Sequence, residues 1–219
     1  MIPKLLHYIW LGNEKTPSVL KCIDSFHEYM SDYEIIEWNE SNIDTSQFTA
    51  ELKKLYDKSY NDSKFAFCSD IARLYILKQF GGVYVDTDVE FIKHLPDEIL
   101  NDNFISRINP QKTVCNGCTW GCHKNDRFVT ATIRWFDETL KRFPNLYGKR
   151  WIYNTIIRQF FEFMGDTFDD TTIVDFFDYK IYPTEYFCPK NLLTNDITLT
   201  PNSVSIHHYD SSWLNKNNK

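Results

Sequence analysis

Apolar positions follow two rhythms along the 219-residue chain, one of period two and one of helical period. "KLLHYIWLG", residues 4–12, is a near-continuous apolar run and reads as a buried strand ending at Gly12. Thr16 and Pro17 then open a helix to about Tyr29, since a hydroxyl cap followed by proline satisfies the orphaned first-turn N–H groups. "YEIIEWN" is a second strand, and this βαβ opening predicts a parallel sheet covered by helices. Residues 44–60 read as a polar-faced helical insertion with Ala50, Leu52 and Leu55 on its packing side. Phe65, Cys68, Ile71, Ala72 and Tyr75 then recur at helical spacing, with Asp62 or Ser63 as cap and Gly81 as left-handed stop. Further on, "LPDEIL" predicts a turn and short helix, and "NFISRI" and "CTWGCH" predict strands. Residues 125–143 and 150–164 are long helical stretches, "TIVDFFDYKIYP" is extended, and "SVSIHHYDSSWL" is a last strand and loop. No repeat or convincing linker interrupts this α/β pattern.

Composition narrows the function. A net charge of −6 argues against a nucleic-acid partner, which leaves a basic footprint, but leaves room for a metal-neutralised anionic substrate. Aromatic residues reach 16%, enough to line a sugar- or base-stacking site beyond the core's needs. No window resembles a signal peptide or a membrane span, so a cytoplasmic protein with reduced thiols is expected. Cys115, Cys118, Cys122 and His123 include one pair at zinc-knuckle spacing. There is no second such pair, and Cys122 and His123 are adjacent, which is awkward on one ion. These cysteines are expected to be small buried groups around an Asn-Gly turn, without zinc.

The chemistry concentrates at "GGVYVDTD", residues 81–88. In an open α/β sheet ligands bind beyond the carboxyl ends of the strands, and Asp86 and Asp88 sit at such an end. Carboxylates at i and i+2 of a straight strand share a face but stand about 7 Å apart, so they close on one ion if the chain turns at Thr87, or if one acts through water or substrate. Hard oxygen ligands select Mg²⁺ or Mn²⁺ with substrate phosphates completing the shell. Asp70 and Arg73 share a helix face just upstream, as a salt bridge or as the border of the same site.

"FCSDIARLYILKQFGGVYVDTDVEFIKHL", residues 67–95, resembles the central signature of the DXD-containing sugar-transferase family, glycosyltransferase family 32, of capsular polysaccharide and O-antigen type. The pattern SD-x-x-R-x-x-x-L followed by GG-x-Y-x-D-x-D is met from Ser69 to Asp88. "IPKLLHYIWLG" is similar to the family's opening and "HHYDSSW" to its closing His-x-x-Ser-x-Trp segment, whereas residues 92–200 match poorly. The resemblance implies a single GT-A domain over 1–219, Rossmann-like, with a mostly parallel sheet flanked by helices and a donor-closing segment at about 203–219. It implies a retaining hexosyltransferase using Mn²⁺ (or Mg²⁺) and a nucleotide-sugar, UDP-hexose before GDP-mannose. The acceptor would be a glycan or a lipid-linked saccharide of surface polysaccharide synthesis, reached by peripheral association with the inner membrane face.

Residue by residue, the resemblance makes Asp88 the metal ligand and places Asp86 between the metal shell and the donor. Asp70 and Arg73 would hold the donor sugar, and Trp10 would stack on the base. His208 would approach the metal, with Ser211, Ser212 and Trp213 closing over the diphosphate. His207 and His208 lie adjacent on extended chain, so only one reaches the site, and alternation with Ile206 favours His208. Two other readings compete. "VYVDTDVEF" also resembles the first motif of haloacid-dehalogenase-type phosphatases, with Asp86 as nucleophile, Asp88 as acid/base and "GDTFDD" (165–170) imitating the distal acidic motif. Against it, the motif lies a third of the way along the chain and Gly165 follows a helical stretch. A non-catalytic carbohydrate-binding protein is the third reading.

Overall fold

The computed structural model describes residues 1–12, 14–109, 111–146 and 152–210. The first half runs β1 (Leu5–Ile9), α1 (Pro17–Tyr29), β2 (Glu34–Trp38), α2 (Ala50–Asn61), α3 (Phe65–Phe80), β3 (Gly82–Val85) and β4 (Val89–Phe91). The second runs β5 (Asn103–Arg107), β6 (Val114–Cys122), α4 (Arg127–Arg142), α5 (Ile152–Phe163), β7 (Val174–Phe176), β8 (Tyr179–Tyr182), α6 (Thr184–Phe187) and β9 (Ser205–His207). Seven strands form one sheet in the order β2-β1-β3-β6-β5-β8-β7, and β4 pairs with β9 apart from it. β1 is parallel to β2 and β3, while β6 runs against both β3 and β5. The carboxyl ends of β1 and β3 therefore emerge along one edge, and that edge carries the acidic turn.

Local signals explain most element ends. The Thr16 hydroxyl accepts the Val19 N–H and Pro17 occupies the first turn of α1, as expected. The packing side of α2 is corrected: Ala50 is exposed, and Leu52, Leu55, Tyr56 and Ser59 are buried. The helix begins only at Ala50, and the i, i+3, i+4, i+7 stripe counts from Leu52. Neither Asp62 nor Ser63 caps α3. Asp62 closes α2 instead, Ser63 turns the chain at φ 55°, and Lys64 takes the cap position without a side-chain bond. Gly81 ends α3 at φ 68°, where a Cβ would lie 2.5 Å from the Lys124 backbone nitrogen, so only glycine fits.

The sheet separates two apolar layers. Tyr84, Ile105, Trp120 and Cys122 pack with α2, α3 and α4, whereas Val83, Val85, Phe104, Cys115 and Cys118 pack with α1 and the β4–β9 ribbon. Strand alternation thus sends Tyr84 to the α3 side and Val83 and Val85 to the other, each valine contributing about 2 kcal/mol by burial. Buried His7 fixes the approach to β3. Its Nδ1 accepts the Trp38 indole N–H at 3.1 Å, so its Nε2–H donates to the Gly81 carbonyl at 2.9 Å. Burial pulls its pKa down to about 4, keeping the ring neutral in that role.

Candidate active site

At the end of β3 the chain turns at Thr87, which shortens the distance between the two carboxylates. The Val89 N–H donates to the Asp86 carbonyl at 3.1 Å, a tight turn through Thr87 and Asp88. The turn joins β3 to β4, which lies on the β9 ribbon. Asp86 keeps the Tyr84 face, toward α3, and Asp88 reaches the β9 side. Oxygens of Asp86 and Asp88 and a ring nitrogen of His207 nevertheless lie within 4.8 Å of one another. Two carboxylates at that spacing fit a hard divalent cation that takes its remaining ligands from phosphate or water.

Arg73 organises the α3 side. It is nearly sealed, and its Nη2 sits 3.0 Å from Asp70 Oδ1 and 3.0 Å from Asp86 Oδ1. Its Nε–H donates to the Ser69 carbonyl, and the guanidinium lies 4.5 Å over the Tyr84 ring. The Tyr84 hydroxyl donates to Asp86 Oδ1 at 2.9 Å. Asp70, Arg73 and Asp86 are thus one unit, and the Asp70–Arg73 pair is both salt bridge and site border. Burial raises the Asp86 carboxyl above its ordinary value, with Arg73 opposing the shift. Burial also works to raise Asp88, yet pairing with His207 and the Asp210 N–H brings it below its ordinary value. Trp10 follows β1 directly. The register Leu6↔Val83, His7↔Tyr84, extended along the strands, sets it level with Thr87, half-buried at the same sheet edge.

The C-terminal histidines require a correction. His207, not His208, faces the acidic turn, with Nε2 3.1 Å from Asp88 Oδ1. His208 turns outward, and its Nε2 meets Glu90 Oε2 at 2.7 Å. Ile206 and its neighbours on β9 are all buried, so apolar alternation could not set the phase. Pairing with β4 and the Ser205 hydroxyl bond to the Phe187 carbonyl decide it, putting Ser205 and His207 on the inward face. The segment then arches over Asp88: the His208 N–H donates to the Asp88 carbonyl at 2.8 Å, and the Asp210 N–H to Asp88 Oδ2 at 3.1 Å. Ser211, Ser212 and Trp213 lie outside the described residues.

Gly117 is a site residue that motif reading missed. Its carbonyl accepts the Asp86 N–H at 2.9 Å, and a Cβ there would fall 2.1 Å from Asp86 Oδ2 and 2.7 Å from Arg73 Nη1. Its only signal is the Asn-Gly pair, read as a turn. Arg73 Nη1 is buried beside it without a partner.

The cysteine and phosphatase expectations also meet the structure. Cys122 faces the α3 layer and His123 bonds Asn103, so the four-residue set from 115 to 123 is not one site. Cys118 and Cys188, 70 residues apart, are joined as a disulfide, which corrects the expectation that all the cysteines are reduced thiols. In "GDTFDD", Asp166 is locked to Arg107 at 2.6 Å, Asp169 binds Thr171 and Thr172, and Asp170 binds Thr184. That acidic run is used up holding its own loop.

Comparison with known proteins agrees with this geometry. The family described as "Glycosyltransferase sugar-binding region containing DXD motif" matches residues 16–106. An uncharacterized glycosyltransferase of Acanthamoeba polyphaga mimivirus is 33% identical over 106 residues, covering 44% of this chain and 39% of that protein. Inositol phosphoceramide mannosyltransferase 3 of Schizosaccharomyces pombe is 25% identical over 134 residues, 61% of this chain and 36% of that protein. The chain thus spans less than two-fifths of the length of these curated relatives. Among solved structures, the PaToxG glycosyltransferase superposes with a TM-score of 0.56 at 19% identity, over 76% of this chain and 73% of that one. The UDP-bound glycosyltransferase domain of the YGT toxin gives 0.51 at 12% identity, over 76% and 68%. These likenesses establish a GT-A fold, α/β with helices on both faces of the sheet. No helix among the described residues is long and apolar enough to cross a membrane.

Proposed function

We propose that this chain is a metal-dependent, retaining glycosyltransferase. It moves a hexose from a nucleotide-sugar, UDP-hexose in the first instance, to a glycan or lipid-linked saccharide of surface polysaccharide synthesis. The turn at Thr87 carries the reading, because it converts an Asp-x-Asp at a strand end into two carboxylates converging beside Arg73 and Asp70. The family match spans that turn, and the named relatives are glycosyltransferases.

In this reading Asp88 and Asp86 would hold a divalent cation, Mn²⁺ or Mg²⁺, whose Lewis acidity would supply charge neutralisation for the departing diphosphate. His207 replaces His208 beside it. Arg73 holds Asp86 in place, and its unpartnered Nη1 accommodates an oxygen of the donor. Asp70 accepts a sugar hydroxyl, and Trp10 stacks on the base at the neighbouring strand end. The tail from about residue 203, with Ser211, Ser212 and Trp213, closes over the diphosphate. A retaining front-face transfer needs no enzyme nucleophile, and none is assigned.

The test is a thermal-shift panel of UDP- and GDP-sugars with Mn²⁺, followed by donor hydrolysis. A stabilisation specific to one nucleotide-sugar and reversed by chelator supports the proposal. No response to any donor, with glycan binding intact, would leave the carbohydrate-binding reading in its place.

A further inference from the structure

The strand β6 leaves its register with β5 midway: Ile105 pairs with Trp120, but Ser106 pairs with Cys115. Residues 116–119 therefore bulge away from β5 while Thr119 stays paired with Val85 on β3. Within the bulge the Cys118 N–H donates to the Cys115 sulfur at 3.3 Å. An amide bonded back to the first sulfur of a Cys-x-x-Cys turn is how such a turn gathers both thiols on one side. Cys188, just after α6, brings its sulfur against that of Cys118. The sulfurs of Cys115 and Cys188 and a ring nitrogen of His207 lie within 4.8 Å of one another. All four residues are buried, at 8%, 0%, 0% and 7% exposure. His207 Nε2 is committed to Asp88, and its Nδ1 is buried without a partner.

We propose that Cys115, Cys118, Cys188 and His207 form a structural Zn²⁺ site that pins the C-terminal segment beside the acidic turn. Three thiolates and one imidazole are a closed tetrahedral zinc set. Zn–S bonds of about 2.3 Å give tetrahedral edges of about 3.8 Å, within the 4.8 Å that the ligand atoms of Cys115, Cys188 and His207 already span. A dithiol reductant first supplies two electrons and two protons to the Cys118–Cys188 bond and is itself oxidised to a disulfide; the two sulfurs then move apart to that edge as the ion enters, and three thiol protons leave to solvent. His207 ligates through Nδ1 and donates its Nε2–H to the Asp88 carboxylate, the carboxylate–histidine–zinc arrangement that fixes a ligand ring. The ion thereby joins β6, the exit of α6 and β9. It takes up the unpartnered Nδ1 of the inward-facing His207, and it orients Asp88 from behind. Cys-x-x-Cys spacing alone did not reveal the site, because the partners are 70 and 89 residues beyond Cys118, at Cys188 and His207.

The experiment is metal analysis of the full chain purified under reductant, with Co²⁺ as spectroscopic probe. Expected are about one tightly held zinc per chain and, after exchange, a thiolate-to-cobalt charge-transfer band. Cys115→Ser and Cys188→Ser each lose metal and band, Cys122→Ser keeps both, and His207→Cys retains the ion with a stronger band. Wild-type protein that takes up neither zinc nor cobalt through thiolates overturns the proposal, whether Cys118 and Cys188 then titrate as a disulfide or as free thiols. So does a cobalt spectrum unchanged in Cys188→Ser. If that variant does not fold, the wild-type spectrum and thiol count still decide. These readouts need no donor, so failure of the transferase reading leaves them unaffected.

Discussion

Two arginine–aspartate pairs border this sheet, and they serve opposite ends. Arg107 and Asp166 are sealed, each with 0% side-chain exposure, and meet through two parallel hydrogen bonds of 2.9 and 2.6 Å. Arg73 divides one nitrogen between Asp70 and Asp86, leaves another unpartnered, and faces an Asp86 that keeps 28% of its side chain open. The first pair is closed to solvent: both carboxylate oxygens have donors, although the Arg107 Nε is also buried without a partner, and the pair joins the end of β5 to the loop after α5. The second is incomplete, and its open side faces the turn that carries Asp88. Charge pairing alone does not distinguish structure from site. An unpartnered guanidinium nitrogen does not either, and what does is solvent access to the carboxylate, which Asp86 keeps and Asp166 lacks.

Substitutions test that contrast. Asp88→Asn keeps the shape of the turn but removes a charged ligand, and donor turnover should fall by roughly 10³-fold or more, about 4 kcal/mol in the barrier, with little change in melting. Turnover within tenfold of wild type would remove Asp88 from the machinery. Asp166→Ala should do the reverse. Stranding Arg107 in the interior costs about 3–5 kcal/mol of stability in urea titration, while turnover per folded molecule holds. The double replacement Arg107→Met with Asp166→Leu should recover most of that loss; a double variant no better than the single would deny that the stranded charge is the cause.

Smaller effects sharpen the open side. Gly117→Ala drives a methyl into Asp86 and Arg73, and roughly 10²-fold loss of turnover is expected from displacing the carboxylate by about 1 Å. Unchanged kinetics would mean that the Asp86 position is not critical. The smallest effect is one of pH. His7 is held neutral with its pKa near 4, below its ordinary value of 6.5. The unfolded chain therefore binds a proton that the fold refuses, and stability is lost as pH falls from about 6.5 toward 4. By pH 5.5 this amounts to about 1.4 kcal/mol. His7→Gln should flatten that part of the melting-versus-pH curve, and an unaltered slope would assign it to other groups.

Asp70, Arg73, Asp86 and Asp88 were legible from sequence because a single helix-turn-strand passage presents all four, and their relation is set by helical spacing and one tight turn. The glycines at 81 and 82 were legible for the same reason. The phase of β9 was not, since three consecutive buried residues erase alternation. Gly117 carried only the Asn-Gly turn signal, because what excludes a side chain there is a carboxylate 31 residues away in the chain. In α2 the packing residues Leu52 and Leu55 were legible and only Ala50 misled, because the helix starts there and its buried stripe counts from Leu52.

By itself the sequence determined the order of strands and helices, the acidic strand end and the helix that feeds it, all products of short-range periodicity and turn chemistry. The tertiary structure decided which histidine faces Asp88, which glycine makes room for Asp86, and which cysteines share a cluster. Those choices depend on strand register and on contacts between segments tens to a hundred residues apart, and no local pattern encodes a distance that only packing creates.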